Sequence, residues 1–134
     1  MPALDTNVLV RYIAQDDTAQ FAAAKRVISR CVGEGSTLFV PVNVVLELKW
    51  MLRSSFEFGK NDVLQTLPNL LSTTQLTFES ERALKVALQL FRKGSAGFAD
   101  CLHVALTTQA GEQPLWTFDK GAAKVFGAQL LNRV

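Results

Sequence analysis

Short apolar segments of strand length alternate with longer segments whose apolar residues recur at helical spacing, and this alternation predicts an α/β protein. The strand-like segments are short and mostly apolar. Strands buried on both faces read this way, so we expect a three-layer α/β/α arrangement around a central parallel sheet of four to five strands. The chain shows neither an internal repeat nor a linker-like stretch, and its 134 residues suit one domain over 1–134.

The elements follow in order. Met1 to Leu4 is an apolar run that predicts a first strand ending at Asp5, and Thr6 to Ile13 predicts one or two helical turns. Asp16, Asp17 and Thr18 offer capping side chains for an Ala-rich helix over Ala19 to Val32, which Gly33-Glu34-Gly35 stops. Thr37 to Val40 reads as a buried strand, and Asn43 is placed to cap a helix running to about Arg53. Ser54 to Lys60 is a connection. Asn61 and Asp62 can cap a helix ending near Leu71, and Gln75 to Phe78 alternates as a strand does. Ser80 opens a helix to about Phe91, and Gly94 to Gly97 is a loop. Phe98 to Ala110 has few polar positions and predicts a central helix. Leu115 to Thr117 reads as a strand, Lys120 to Phe126 as a short helix and Ala128 to Leu131 as a last strand.

Composition narrows the class. At 49% hydrophobic and 19% charged the chain is not a disordered or fibrous sequence. No apolar run approaches the ~20 residues of a membrane span, and an acid at position 5 stands where an export signal carries basic and then apolar residues. The expectation is a soluble, cytoplasmic protein without membrane association. Cys31 and Cys101 form no CxxC pair, so reduced thiols are expected.

In open parallel sheets ligands bind beyond the carboxyl ends of the strands. Four acids fall there. Asp5 follows the first strand, Asp119 follows Leu115 to Thr117, Asp100 lies in the first turn of its helix, and Glu47 lies early in the helix after Thr37 to Val40. At about 100° per residue Val44, Val45, Leu48, Met51 and Leu52 form one stripe, and Glu47 falls about 60° from Val44, on its border. Asp5 and Asp100 are set in apolar text, Pro-Ala-Leu-Asp and Gly-Phe-Ala-Asp-Cys-Leu. Singly, each acid has a plain structural explanation: Asp5 and Asp119 can cap the helices that follow them, and Glu47 can be a solvated helix residue. Together, four carboxylates at one sheet edge repel one another and stay ionised only around a cation. Oxygen ligands favour Mg²⁺ or Mn²⁺ over zinc, and an ion so held suits phosphoryl chemistry.

Four blocks of the sequence resemble the PIN-domain nucleases, and most closely the VapC-type toxins of bacterial toxin–antitoxin pairs. They are Leu4-Asp5-Thr6-Asn7-Val8-Leu9-Val10-Arg11-Tyr12, Pro41-Val42 through Glu47-Leu48, Gly97-Phe98-Ala99-Asp100-Cys101-Leu102-His103-Val104-Ala105 and Leu115-Trp116-Thr117-Phe118-Asp119-Lys120. Their order and spacing agree along essentially the whole chain, which predicts a PIN-like fold. The resemblance implies metal ligation by Asp5, Glu47, Asp100 and Asp119, with Asn7 and Thr117 holding carboxylates in place. It implies a Mg²⁺- or Mn²⁺-dependent endoribonuclease toxin that leaves a 3′-hydroxyl and a 5′-phosphate, a homodimer, and a cognate antitoxin protein that blocks the site. Many relatives carry an acid or Asn two residues after the last aspartate; Gly121 stands there, which puts a tightly held second metal in doubt.

The remaining candidates are weaker. With those four acids set aside, 8 of the 12 remain against 14 basic residues, a net +6, so Arg11, Lys49, Lys120 and Lys124 could hold an RNA backbone if they border the cleft; each is otherwise a solvated surface group. His103, the single histidine, lies three residues beyond Asp100 on the same helix side and could support it or make an ordinary polar contact. Leu46 and Trp50 lie opposite the Val44–Leu48–Leu52 stripe and suggest a partner surface, with Phe56 and Phe58 adding to it, unless they pack within the chain. Two other functions fit the residues less well. A phosphohydrolase using Asp5 as nucleophile would carry a second Asp where Asn7 stands. A non-catalytic PIN-like binding partner would have lost acids that are all present.

Overall fold

The computed structural model describes residues 1–132, which form an α/β fold in two compact units, Met1–Glu79 and one from Ser80 onward. The first unit contains α1 (Thr6–Ala14), α2 (Thr18–Gly33), β1 (Leu38–Val40), α3 (Val42–Ser54), α4 (Lys60–Leu71) and β2 (Leu76–Phe78). The second contains α5 (Glu81–Lys93), α6 (Phe98–Gln109), β3 (Leu115–Thr117), a 3₁₀ turn at Ala122–Lys124 and β4 (Ala128–Leu130).

In the first unit β1 runs parallel to β2, with Leu38 opposite Leu76 and Val40 opposite Phe78. The expected N-terminal strand is reduced to a single parallel bridge between Ala3 and Phe39. It is held by Leu4 N–H to Phe39 C=O at 2.9 Å and Phe39 N–H to Pro2 C=O at 2.8 Å. β1 is thus the middle of three parallel segments. Leu38 and Val40 are fully buried, and Leu9, Val45, Leu48, Leu52 and Val63 complete the core around them. Burial alternates along both strands: Leu38 and Val40 in β1 and Leu76 and Phe78 in β2 are buried, while Phe39 is half-buried and Thr77 exposed.

Helix α2 keeps its expected cap, with the Asp17 carboxylate accepting from Gln20 N–H at 3.0 Å. Helix α3 does not. Pro41, not Asn43, stands at its N-cap with φ −62°, and it supplies no side-chain hydrogen bond. The freed Val42 N–H instead donates to Glu79 Oε1 at 2.8 Å, a carboxylate from just beyond β2. Proline has no side-chain acceptor to offer, so the first helical N–H takes its partner from a distant segment. At α4 the cap is Gly59, whose N–H donates to Asp62 Oδ2 at 2.8 Å, so Asp62 acts from inside the helix rather than before it.

In the second unit β3 and β4 pair in parallel, Leu115 with Ala128 and Thr117 with Leu130. The strands among the described residues therefore make two parallel pairs, each strand three residues long, where the sequence predicted one sheet of four to five. Helices α5 and α6 pack through Leu84, Leu88, Phe98 and Leu102, with the Phe91 and Phe98 rings edge to face at 5.9 Å. The central reading of α6 holds within this unit: Phe98, Cys101, Leu102, Val104 and Ala105 are all buried. The expected helix over Lys120 to Phe126 is only the 3₁₀ turn, which Val125 leaves in extended backbone. No helix among the described residues is long and apolar enough to cross a membrane.

Candidate functional site

The first unit carries Asp5 and Glu47. Asp5 is the N-cap of α1, and its Oδ1 accepts from Val8 N–H at 3.0 Å. One carboxylate oxygen is fixed by the helix terminus, where the dipole favours negative charge. Thr6, the next residue, is the single polar side chain among the buried residues described. Its hydroxyl donates to Glu47 Oε1 across the α1–α3 contact. Glu47 itself is exposed on α3, beside buried Val45 and Leu48, at the border predicted for it. Asn7 is exposed on α1. The residue that holds Glu47 is therefore Thr6. The signal was present in the sequence: Thr6 lies three and four positions before Leu9 and Val10, on the buried face of α1.

The second unit carries Asp100 and Asp119. Asp100 is half-buried in the first turn of α6, and its carboxylate has no hydrogen bond or ion pair among the described residues. Asp119 follows β3. Its N–H donates to the Thr117 hydroxyl at 3.0 Å, and its Oδ1 accepts from Gly121 N–H at 2.7 Å and Ala122 N–H at 3.2 Å. Gly121 is thereby explained locally. A Cβ there would meet Asp119 Oδ1 at 3.2 Å, closer than ordinary contact, so glycine lets the backbone draw up to the carboxylate.

The capping explanations of Asp5 and Asp119 are both realised, and they leave a common pattern. Asp5, Glu47 and Asp119 each commit one oxygen to a donor within their own unit and leave the second without one among the described residues. None of the four acids enters an ion pair among the described residues. Each acid offers only carboxylate oxygen, oriented at Asp5, Glu47 and Asp119 by neighbouring N–H and O–H groups, and oxygen donors of this kind suit a hard divalent cation. Within the described residues, no group of three or more His, Cys, Asp or Glu side chains lies at metal-holding spacing.

The basic candidates differ in state. Arg11 is engaged: its Nη1 meets Asp16 at 2.9 Å and its Nε donates to Gln20 Oε1 at 2.6 Å. Burial first, and the nearby Arg53 second, hold the Lys49 ammonium below the ordinary lysine range. Lys120 and Lys124 are exposed, as is His103, one turn along from Asp100. On the outer side of α3 Trp50 is 64% exposed and Leu46 half-buried. Phe56 and Phe58 are half-buried. Cys31 and Cys101 are both buried, and the two form no disulfide.

Comparison with known proteins agrees with this arrangement along the chain. A VapC ribonuclease of Aquifex aeolicus (strain VF5) is 22% identical over 125 residues, covering 93% of this chain and 92% of the relative. The PIN domain family model matches residues 3–127, through the segments that carry all four acids. The chain belongs to the PIN domain family.

Proposed function

We propose that the chain is a metal-dependent endoribonuclease, the toxin of a toxin–antitoxin pair, with residues 1–134 working as one nuclease domain. The family match runs across both compact units and supports treating them as one working domain. The similarity to a VapC ribonuclease supports RNA as substrate and a cognate antitoxin as partner. The observation that carries the catalytic reading is the state of the acids: carboxylates with at least one oxygen uncommitted and no counter-charge among the described residues.

On this reading Asp5, Glu47, Asp100 and Asp119 hold Mg²⁺ or Mn²⁺. Such an ion supplies Lewis-acid activation for attack of water on a phosphodiester, leaving a 3′-hydroxyl and a 5′-phosphate. The chain's own contribution is orientation. Thr6 and the α1 N-terminus aim Glu47 and Asp5, and the Gly121 and Ala122 amides aim Asp119. Thr117 holds the Asp119 backbone. Lys120, exposed beside Asp119, is placed to meet the RNA backbone. Trp50 is the candidate anchor for a second copy of the chain or for the antitoxin. Two buried thiols that form no disulfide suit a reducing, cytoplasmic setting.

The test is RNA cleavage by purified protein with Mg²⁺ and with chelator. Wild type should cut only with the ion, and Asp100→Asn should lose at least about a hundredfold while melting as wild type does, since the Asp100 carboxylate makes no bond among the described residues. Full activity in Asp100→Asn, or cleavage that persists in chelator, removes the proposal.

A further inference from the structure

The groove between α1 and α2 has a volume of about 460 Å³, and Asp5 forms part of its lining. Leu4 and Val8 on one side and Ala23, Ala24 and Val27 on α2 give a mainly apolar lining, into which Asn7 and Arg11 from α1 and Gln20 from α2 bring polar groups. Two contacts hold the helices together beside it: the Tyr12 and Phe21 rings pack at 6.0 Å between them, and Arg11 spans from α1 to Asp16 and Gln20.

The Arg11 contact fixes more than position. A guanidinium can only donate, so the atom it meets on Gln20 must be the amide oxygen. The Gln20 NH₂ group is then turned away from Arg11 and is left as a donor. Asn7, exposed on the other wall, brings a donor and an acceptor. An apolar lining with a fixed donor from α2 and a free amide from α1 suits a planar ring with hydrogen-bonding edges. The groove volume lies in the range of small-ligand sites and takes one such ring with room for its sugar.

We propose that this groove is a subsite for one unstacked base of single-stranded RNA, next to the phosphodiester that is cut. The proposal rests on the ribonuclease reading and extends it by naming what the enzyme reads. A base is uncharged, so it tolerates the neighbouring Asp5, whereas a phosphate in the same groove would be repelled. Arg11, already paired with Asp16, serves here by orienting Gln20 and not by meeting the RNA backbone. Gln20 and Asn7 then select among bases by their edges.

The test uses the full chain and two variants at exposed positions of α2, Gln20→Leu, which removes the donor, and Ala23→Trp, which fills the groove. Binding of short fluorescent single-stranded RNAs of each base is measured in chelator by anisotropy, and the cleavage positions on a long RNA are mapped with Mg²⁺. Both variants should weaken binding about tenfold, the size of one base contact, and Gln20→Leu should change which base flanks the cut. If wild type cuts RNA while both variants bind and cut as it does, the subsite is overturned and the ribonuclease reading stands. If they lose only a co-purified protein partner and keep their RNA behaviour, the groove is a peptide site and the proposal is likewise overturned. If wild type neither binds nor cuts any RNA, the ribonuclease reading fails and takes the subsite with it.

Discussion

Replacing Asp5 by asparagine and by alanine should have different consequences. Its Oδ1 caps α1 through Val8 N–H, and asparagine caps a helix about as well as aspartate does. Asp5→Asn should therefore melt near wild type in chelator, while Asp5→Ala loses about 1 kcal/mol with the cap. Both should lose cleavage. Equal melting temperatures for the two variants would show that the cap contributes nothing. Thr6 acts at the same scale. Thr6→Val keeps the buried shape and removes the donor to Glu47. We expect the Mg²⁺ concentration for half-maximal cleavage to rise several-fold, and Thr6→Ser to restore it; a Val variant with an unchanged requirement would make Thr6 a packing residue only. How these roles could be read in advance differs between the two residues. The cap at Asp5 was legible because an acid before a helix has few other local partners. The bond from Thr6 to Glu47 joins residues 41 positions apart, and sequence periodicity gives the face of Thr6 but not its partner.

Helix boundaries were legible where the turn chemistry is local. The spans of α1 and α2 fall within one position of the sequence expectation, and α4 ends where expected but begins before the residues expected to cap it. The start of α3 was misjudged because its first N–H is satisfied by Glu79, brought in by the pairing of β2 with β1. Pairing between distant segments is what sequence patterns carry least. Likewise, the turn after β3 is shorter than its helical composition suggests: Asp119 Oδ1 gathers the Gly121 and Ala122 amides at its start, but Val125 leaves the helical region after three residues. On α3 the apolar stripe was read correctly, with Val45, Leu48 and Leu52 buried, and Trp50 is left 64% exposed on the other side. An indole so exposed costs little to truncate within the chain. Trp50→Ala should keep its melting temperature and lower self-association in analytical ultracentrifugation, or weaken antitoxin binding; unchanged sedimentation and affinity would remove the partner surface.

For the molecule as a whole, the α/β class was legible from alternation, and the family from four blocks spread along the chain, since both survive errors at individual boundaries. The number of paired strands was not. Segments of three residues carry too few positions for periodicity to distinguish a strand from an extended bridge such as Ala3 to Phe39. The placing of the two thiols has a consequence of its own. Cys31 lies in the first compact unit and Cys101 in the second, and both are buried. Each unit thus contains one natural clock for its own breathing, because an alkylating reagent reaches a sequestered sulfur only when the surrounding structure loosens. If the chain opens as one body, the two sulfurs should be alkylated at the same rate and slow together when Mg²⁺ is added. Two rates differing by more than about tenfold, resolved by peptide mass spectrometry, would mean that one half of this small enzyme loosens while the other stays closed.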